Sequence, residues 1–211
     1  MSLTLGRAAR KQLTESIAGA TSLHGDFFRS VAFRYFHPDD VVSGEGTRLH
    51  GGRFVPPGVR AVYATLEEWT DRAHPPPLLN SVSPETAPHE VASRKSASGS
   101  RSQINFGDYP RMTYVVSVAT RRNLDLTVAL PTELANVVRM CLRGSGYSVS
   151  QELAAIWISA GVDSVIFPSA TGGCRTIAVY LENAGAGSVV VRNRAEVLAA
   201  LRRPRVGKRG Q

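Results

Sequence analysis

The chain has 211 residues, 43% of them hydrophobic and 20% charged, an ordinary globular composition with length for one full core plus tails. No apolar run approaches the roughly 20 residues of a membrane span, and the opening MSLTLGRAARKQL lacks the apolar stretch of a secretory signal, so a cytoplasmic protein is expected. The net charge of +8 sits mainly at the ends: RRPRVGKRGQ (202–211) holds five positive charges and no acid, which confines any nucleic-acid binding to that tail. A solvated, disordered terminus is the plain alternative for it. The two cysteines, Cys141 and Cys174, make neither a disulfide framework nor a metal pattern and read as reduced thiols.

In chain order, Ala8–Ala18 reads as a helix with a sparse stripe of Leu13 and Ile17, within a helical or flexible leader over 1–26. Asp26–Tyr35 places Phe27, Val31 and Phe33 at alternating positions, the period of a strand, and Arg29 shares their parity. An arginine turned towards apolar neighbours needs a partner, either a structural ion pair or a ligand phosphate. Val42–Tyr63 then packs five glycines and a Pro-Pro-Gly ahead of a short apolar strand. Glycines at this density supply tight turns and close backbone approach, and arginine on such a loop offers a planar fork for phosphate or carboxylate. A plain surface turn is the rival reading.

Residues 66–84 form a Pro-rich interruption, and 93–110 a Ser/Gly-rich loop. Met112–Val118 and Asn123–Leu130 read as two short strands. Pro131 and Thr132 open a helix with Leu134, Val137, Val138, Cys141 and Leu142 on one face, ending near Arg143-Gly144. Cys141 belongs to that apolar face. Ser148 and Gln151 have capping-box spacing at the head of a second helix, whose buried side is Leu153, Ile156, Trp157 and Ala160. A buried strand follows from Asp163 to Pro168-Ser169, then a Gly turn, a second apolar strand from Thr176, and a third at Ser188–Val191. A short helix over Ala195–Leu201 precedes the tail.

Familiar fingerprints are missing. Gly44-Glu45-Gly46, Gly144-Ser145-Gly146 and Gly185-Ala186-Gly187 each lack the third glycine of a dinucleotide motif, and no P-loop, HExxH or GxSxG occurs. The five histidines never fall at ligand spacing, so no metal is expected.

FFRSVAFRY (Phe27–Tyr35), SGEGTRLHGGRFVPPG (Ser43–Gly58) and AVYAT (Ala61–Thr65), in that order, resemble the opening of a RES domain, and the helix–strand–PSA–Gly turn–strand run to Leu181 resembles its second half. The resemblance implies a single mixed domain of the α+β class over 27–201, ADP-ribosyltransferase-like, with small central sheets and flanking helices. It implies a bacterial toxin that consumes NAD as substrate by cleaving the nicotinamide–ribose bond, whether by hydrolysis, phosphorolysis or ADP-ribosyl transfer. An Xre-type antitoxin is the partner it implies. The family's arginine, glutamate and serine fall on Arg29, Glu90 (within Thr86-Ala87-Pro88-His89-Glu90) and Ser169; Glu68 is the alternative carboxylate. Gly52, Arg53 and Tyr63 are the remaining nucleotide-binding positions. Glu90 would stabilise an oxocarbenium-like transition state, Arg29 and Arg53 would hold pyrophosphate or ribose, Tyr63 would pack on the ribose or nicotinamide, and Ser169 would position the ribose. The family usually reads GGRWN where this chain has Gly51-Gly52-Arg53-Phe54-Val55, and many relatives carry asparagine at Thr176. A catalytically degenerate binding module on the same fold is the alternative function.

Overall fold

Ala119-Thr120-Arg121-Arg122 contains no glycine, proline or other turn former, and the two short strands expected around it run together as one, β3 (Arg111–Asp125). The computed structural model describes residues 5–32, 35, 37–66, 111–143, 146–168, 175–192 and 194–195; Phe33, the 66–84 and 93–110 insertions beyond Leu66, the Gly turn with Ser169 and the tail lie outside them. The other elements are α1 (Arg7–Ala18), β1 (Thr21–Ala32), α2 (Pro38–Val42), α3 (Glu45–His50), β2 (Ala61–Leu66), α4 (Thr132–Arg143), α5 (Ser148–Ser159), β4 (Ser164–Pro168), β5 (Arg175–Tyr180), α6 (Leu181–Ala184) and β6 (Val189–Val191). Among these described residues no helix is long and apolar enough to cross a membrane.

The long strand makes the architecture. β3 pairs with β1 from Arg111 to Asn123, with β6 over Val116–Val118 and with β4 over Asn123–Asp125. The sheet runs β1–β2–β5–β4–β3, and β3 returns to β1, so five strands close into a barrel-like ring with β6 on its flank. The α+β class holds, while the separate small sheets expected from the sequence are one closed sheet. Every pairing is antiparallel except β3 with β4.

β2, β4 and β5 are nearly continuous apolar runs because both their faces are covered. Ala61, Tyr63, Val165, Phe167, Ala178 and Tyr180 face Leu13 of α1, Leu134, Val138 and Cys141 of α4, and Leu153 and Trp157 of α5. Val62, Ala64, Ile166, Ile177 and Val179 face Phe27, Val31, Tyr114, Val116, Val118, Val189 and Val191. The α5 stripe departs from expectation at Ile156, which is 40% exposed.

One arginine ties the helices to this sheet. The Arg122 guanidinium donates to the carbonyls of Ala160 (2.6 Å) and Gly161 (3.4 Å) at the end of α5 and of Ile17 (3.2 Å) at the end of α1. A cation at two helix C-termini also opposes their dipoles. Arg122→Ala is expected to lower unfolding free energy by about 1–3 kcal/mol, because three part-buried carbonyls lose a charged donor. Urea denaturation reads the loss, and Arg122→Lys recovers only part of it since one ammonium cannot span the same three acceptors.

Candidate nucleotide site

Gly52 and Val55 exchange both backbone hydrogen bonds, 2.7 and 3.3 Å, which folds Gly52-Arg53-Phe54-Val55 into a tight turn. Gly51 enters it at φ +64°, ψ −164°, a conformation open to glycine. A Cβ on Gly52 would stand 2.9 Å from ring carbons Cε2 and Cζ of Tyr63 and closer still to its hydroxyl. Both glycines therefore serve the close approach anticipated for this loop, and what they approach is the protein itself: Gly52 meets Tyr63 of β2, and Gly51 meets Gln151 and the far side of its own turn. The wedge of the turn is Phe54, fully buried, with ring centroids 4.8 Å from Phe167 and 5.7 Å from Trp157.

Three side chains from three elements hold the turn's backbone. Tyr63 of β2 accepts from the Phe54 N–H through its hydroxyl (3.3 Å), Tyr180 of β5 donates to the Phe54 carbonyl (2.9 Å), and Gln151 of α5 donates to the Gly52 carbonyl (3.0 Å). The capping box expected at Ser148 and Gln151 is not formed: Tyr147 is the N-cap residue, without a side-chain cap bond, and the Gln151 amide goes to the loop.

Arg53 projects from the turn to the end of α4, where it donates to the carbonyls of Cys141 and of Leu142 (3.0 Å) and lies 5.2 Å from the Tyr147 ring centroid. Those carbonyls are the unsatisfied last turn of a helix, and a guanidinium there is favourable. A ligand anion held by Arg53 would share or exchange these contacts. Cys141 sits in the apolar face as expected, and burial pushes its thiol up to about 11, the nearby Arg53 charge opposing that in part. Burial likewise raises Tyr114 to about 12 and Tyr180 well above its ordinary value.

These shifts set a pH dependence. A raised folded-state pKa means the unfolded chain ionises first, so the contribution is complete below the ordinary thiol value of 9.0 and is lost as pH climbs towards 11. The urea midpoint should stay level up to pH 9.0 and fall beyond it, and Cys141→Ala should flatten the first part of the fall.

Arg29 keeps the parity read from the sequence, between Phe27 and Val31 and opposite Tyr114 of β3. Among the described residues β1 and β2 share one register pair, Phe28 with Thr65, supported by Thr65 Oγ1 donating to the Phe28 carbonyl at 3.2 Å. Beside it the Tyr63 carbonyl receives Arg29 Nη1 at 2.6 Å. A guanidinium thus joins β1 to β2 next to their one register pair. Tyr63, 9% exposed, meets Arg29 with its carbonyl and Gly52 with its ring; Arg29 shares the parity of Phe27 and Val31 in one core layer, whereas the turn that carries Arg53 packs Phe54 and Val55 into the other. Glu90, Glu68 and Ser169 lie outside the described residues; Pro168, just before Ser169, pairs with Arg175, itself opposite Leu66 at the end of β2. Gln151 and Tyr180 were not singled out as site residues by sequence, since nothing in the spacing of an amide or a strand tyrosine reveals a partner more than ninety residues away.

A mixed α+β fold with a closed sheet and a glycine-arginine turn on its helical face is the class these features define. The RES domain profile matches residues 26–200, and the chain belongs to that family. Its fold is similar to a chain of the crystal structure of the M. tuberculosis MbcT–MbcA toxin–antitoxin complex, with TM-score 0.60 and 17% identity over 90% of this chain and 97% of that one. No curated protein matches it.

Proposed function

We propose that this chain is the toxin of a toxin–antitoxin pair, acting in the cytoplasm, and that it consumes NAD by breaking the nicotinamide–ribose bond on an ADP-ribosyltransferase-like domain. The observation that carries the reading is Arg29, a half-buried cation bridging β1 and β2 at the Tyr63 carbonyl in a RES chain. Nicotinamide leaves with the bonding electron pair and becomes neutral, and positive charge develops on the ribose C1′ and ring oxygen. A carboxylate beside that ring, Glu90, stabilises the oxocarbenium character. Arg29 and Arg53 hold the pyrophosphate through charge-assisted bonds, Tyr63 and Gly52 shape the wall, and Ser169 positions the ribose. The acceptor at C1′ is water, phosphate or a protein side chain. An Xre-type antitoxin would silence the toxin by covering the cleft.

The test is nicotinamide release from NAD by purified protein. Release by wild type, abolished in Glu90→Ala and retained in Glu68→Ala, supports the assignment; the reverse pattern moves the carboxylate to Glu68, and no release by wild type sinks the enzyme. A second reading, a RES fold that binds without turnover, has one observation in its favour. Thr176, where many relatives carry asparagine, is 1% exposed and its hydroxyl has no hydrogen-bond partner among the described residues. Calorimetric NAD binding without release would establish that reading.

A further inference from the structure

We infer that Gln151 is a positioning residue, the latch through which α5 sets the glycine-arginine turn for nucleotide binding; the nucleotide part of this inference rests on the NAD reading above. Gln151 stands in the first turn of α5, where a side chain ordinarily serves its own helix, yet its Nε2 donates 3.0 Å across to the Gly52 carbonyl. That carbonyl already accepts the Val55 N–H at 3.3 Å, so both its lone pairs are used and its plane is fixed. The amide also bounds the turn sterically, since a Cβ on Gly51 would lie 2.9 Å from Gln151 Nε2 and 2.9 Å from the Val55 oxygen.

The latch is distinct from the other two holds. Tyr63 and Tyr180 fix Phe54, the buried side of the turn, whereas Gln151 fixes the peptide on which Arg53 is mounted. Because Arg53 reaches Leu142 at the end of α4, the latch and the arginine clasp the turn between α4 and α5. Loss of the latch therefore loosens the peptide that carries Arg53, leaving its guanidinium held only from the α4 side, while the Phe54 wedge stays in the core.

Gln151→Glu is the discriminating variant: it keeps the shape and replaces the donor by a carboxylate facing a carbonyl. Two measurements on the full chain decide the matter. Amide hydrogen exchange over 51–58 should quicken about tenfold in Gln151→Glu and Gln151→Ala, with exchange in β4 and β5 unchanged. In NAD consumption both variants should raise KM about tenfold and leave kcat within about twofold, the mark of binding lost alike from the ground and transition states when the turn is no longer set in advance. Unchanged exchange over 51–58 overturns the latch, and so does a fall in kcat at constant KM, which would report only a smaller folded fraction. Wild type that releases no nicotinamide defeats the NAD reading and with it the nucleotide part of the inference, while the exchange result still decides whether Gln151 holds the turn.

Discussion

Gly52→Ala is expected to lower unfolding free energy by about 3 kcal/mol or more, the combined cost of overpacking and of broken turn hydrogen bonds. Gly52 is not among the glycines with positive φ, so the backbone itself would accept alanine. The cost comes from what the new methyl meets: the Tyr63 ring at 2.9 Å and its hydroxyl nearer still. Tyr63 cannot retreat, because its ring lies edge-on to Phe167 at 6.2 Å within the helical core. The turn cannot lift either, because Phe54 is wedged beneath it and Gln151 and Tyr180 hold its carbonyls. One of these must break, and a loss of this size lowers Tm by about 6–12 °C in a chain of this length. Gly46→Ala is the control: a Cβ there meets nothing within 4 Å, and it lies in α3, where alanine is the better helix former, so Tm should hold or rise. Tyr63→Phe in the Gly52→Ala background should restore only part of the loss, since the ring carbons still crowd the methyl.

This turn also shows how far the sequence could be read. Two adjacent glycines before an arginine announce a close approach, and the approach is there, but its objects, the Tyr63 ring for Gly52 and the Gln151 amide for Gly51, are tertiary facts. Elements with a strong period were legible: the parity of Phe27, Arg29 and Val31 in β1, and the apolar face and proline start of α4. Local rules failed where a distant partner outcompeted them. The Ser148–Gln151 spacing fits a capping box, yet the Gly52 carbonyl takes the amide. Closure of the sheet was hidden for the same reason. It depends on the uninterrupted length of β3 and on one pair, Phe28 with Thr65, that joins segments 37 residues apart.

On the NAD reading proposed above, Arg29→Ala should reduce kcat/KM for NAD consumption about a thousandfold, the scale of removing a charged donor from a developing or bound anion. The same change removes the 2.6 Å bond to the Tyr63 carbonyl, at a cost to stability of about 1–3 kcal/mol. A drop in activity alone therefore does not separate a ligand role from a structural one, and Arg29→Lys does. Lysine supplies a charged donor for the Tyr63 carbonyl, but not the planar fork that grips two oxygens of a phosphate. If Arg29 only fastens β1 to β2, lysine recovers stability and activity together. If it also binds the nucleotide, lysine recovers the urea midpoint and leaves kcat/KM low, with most of the deficit in KM where pyrophosphate binding is at stake. Equal recovery of both would reduce Arg29 to a strand fastener and remove the cation on which the NAD reading stands.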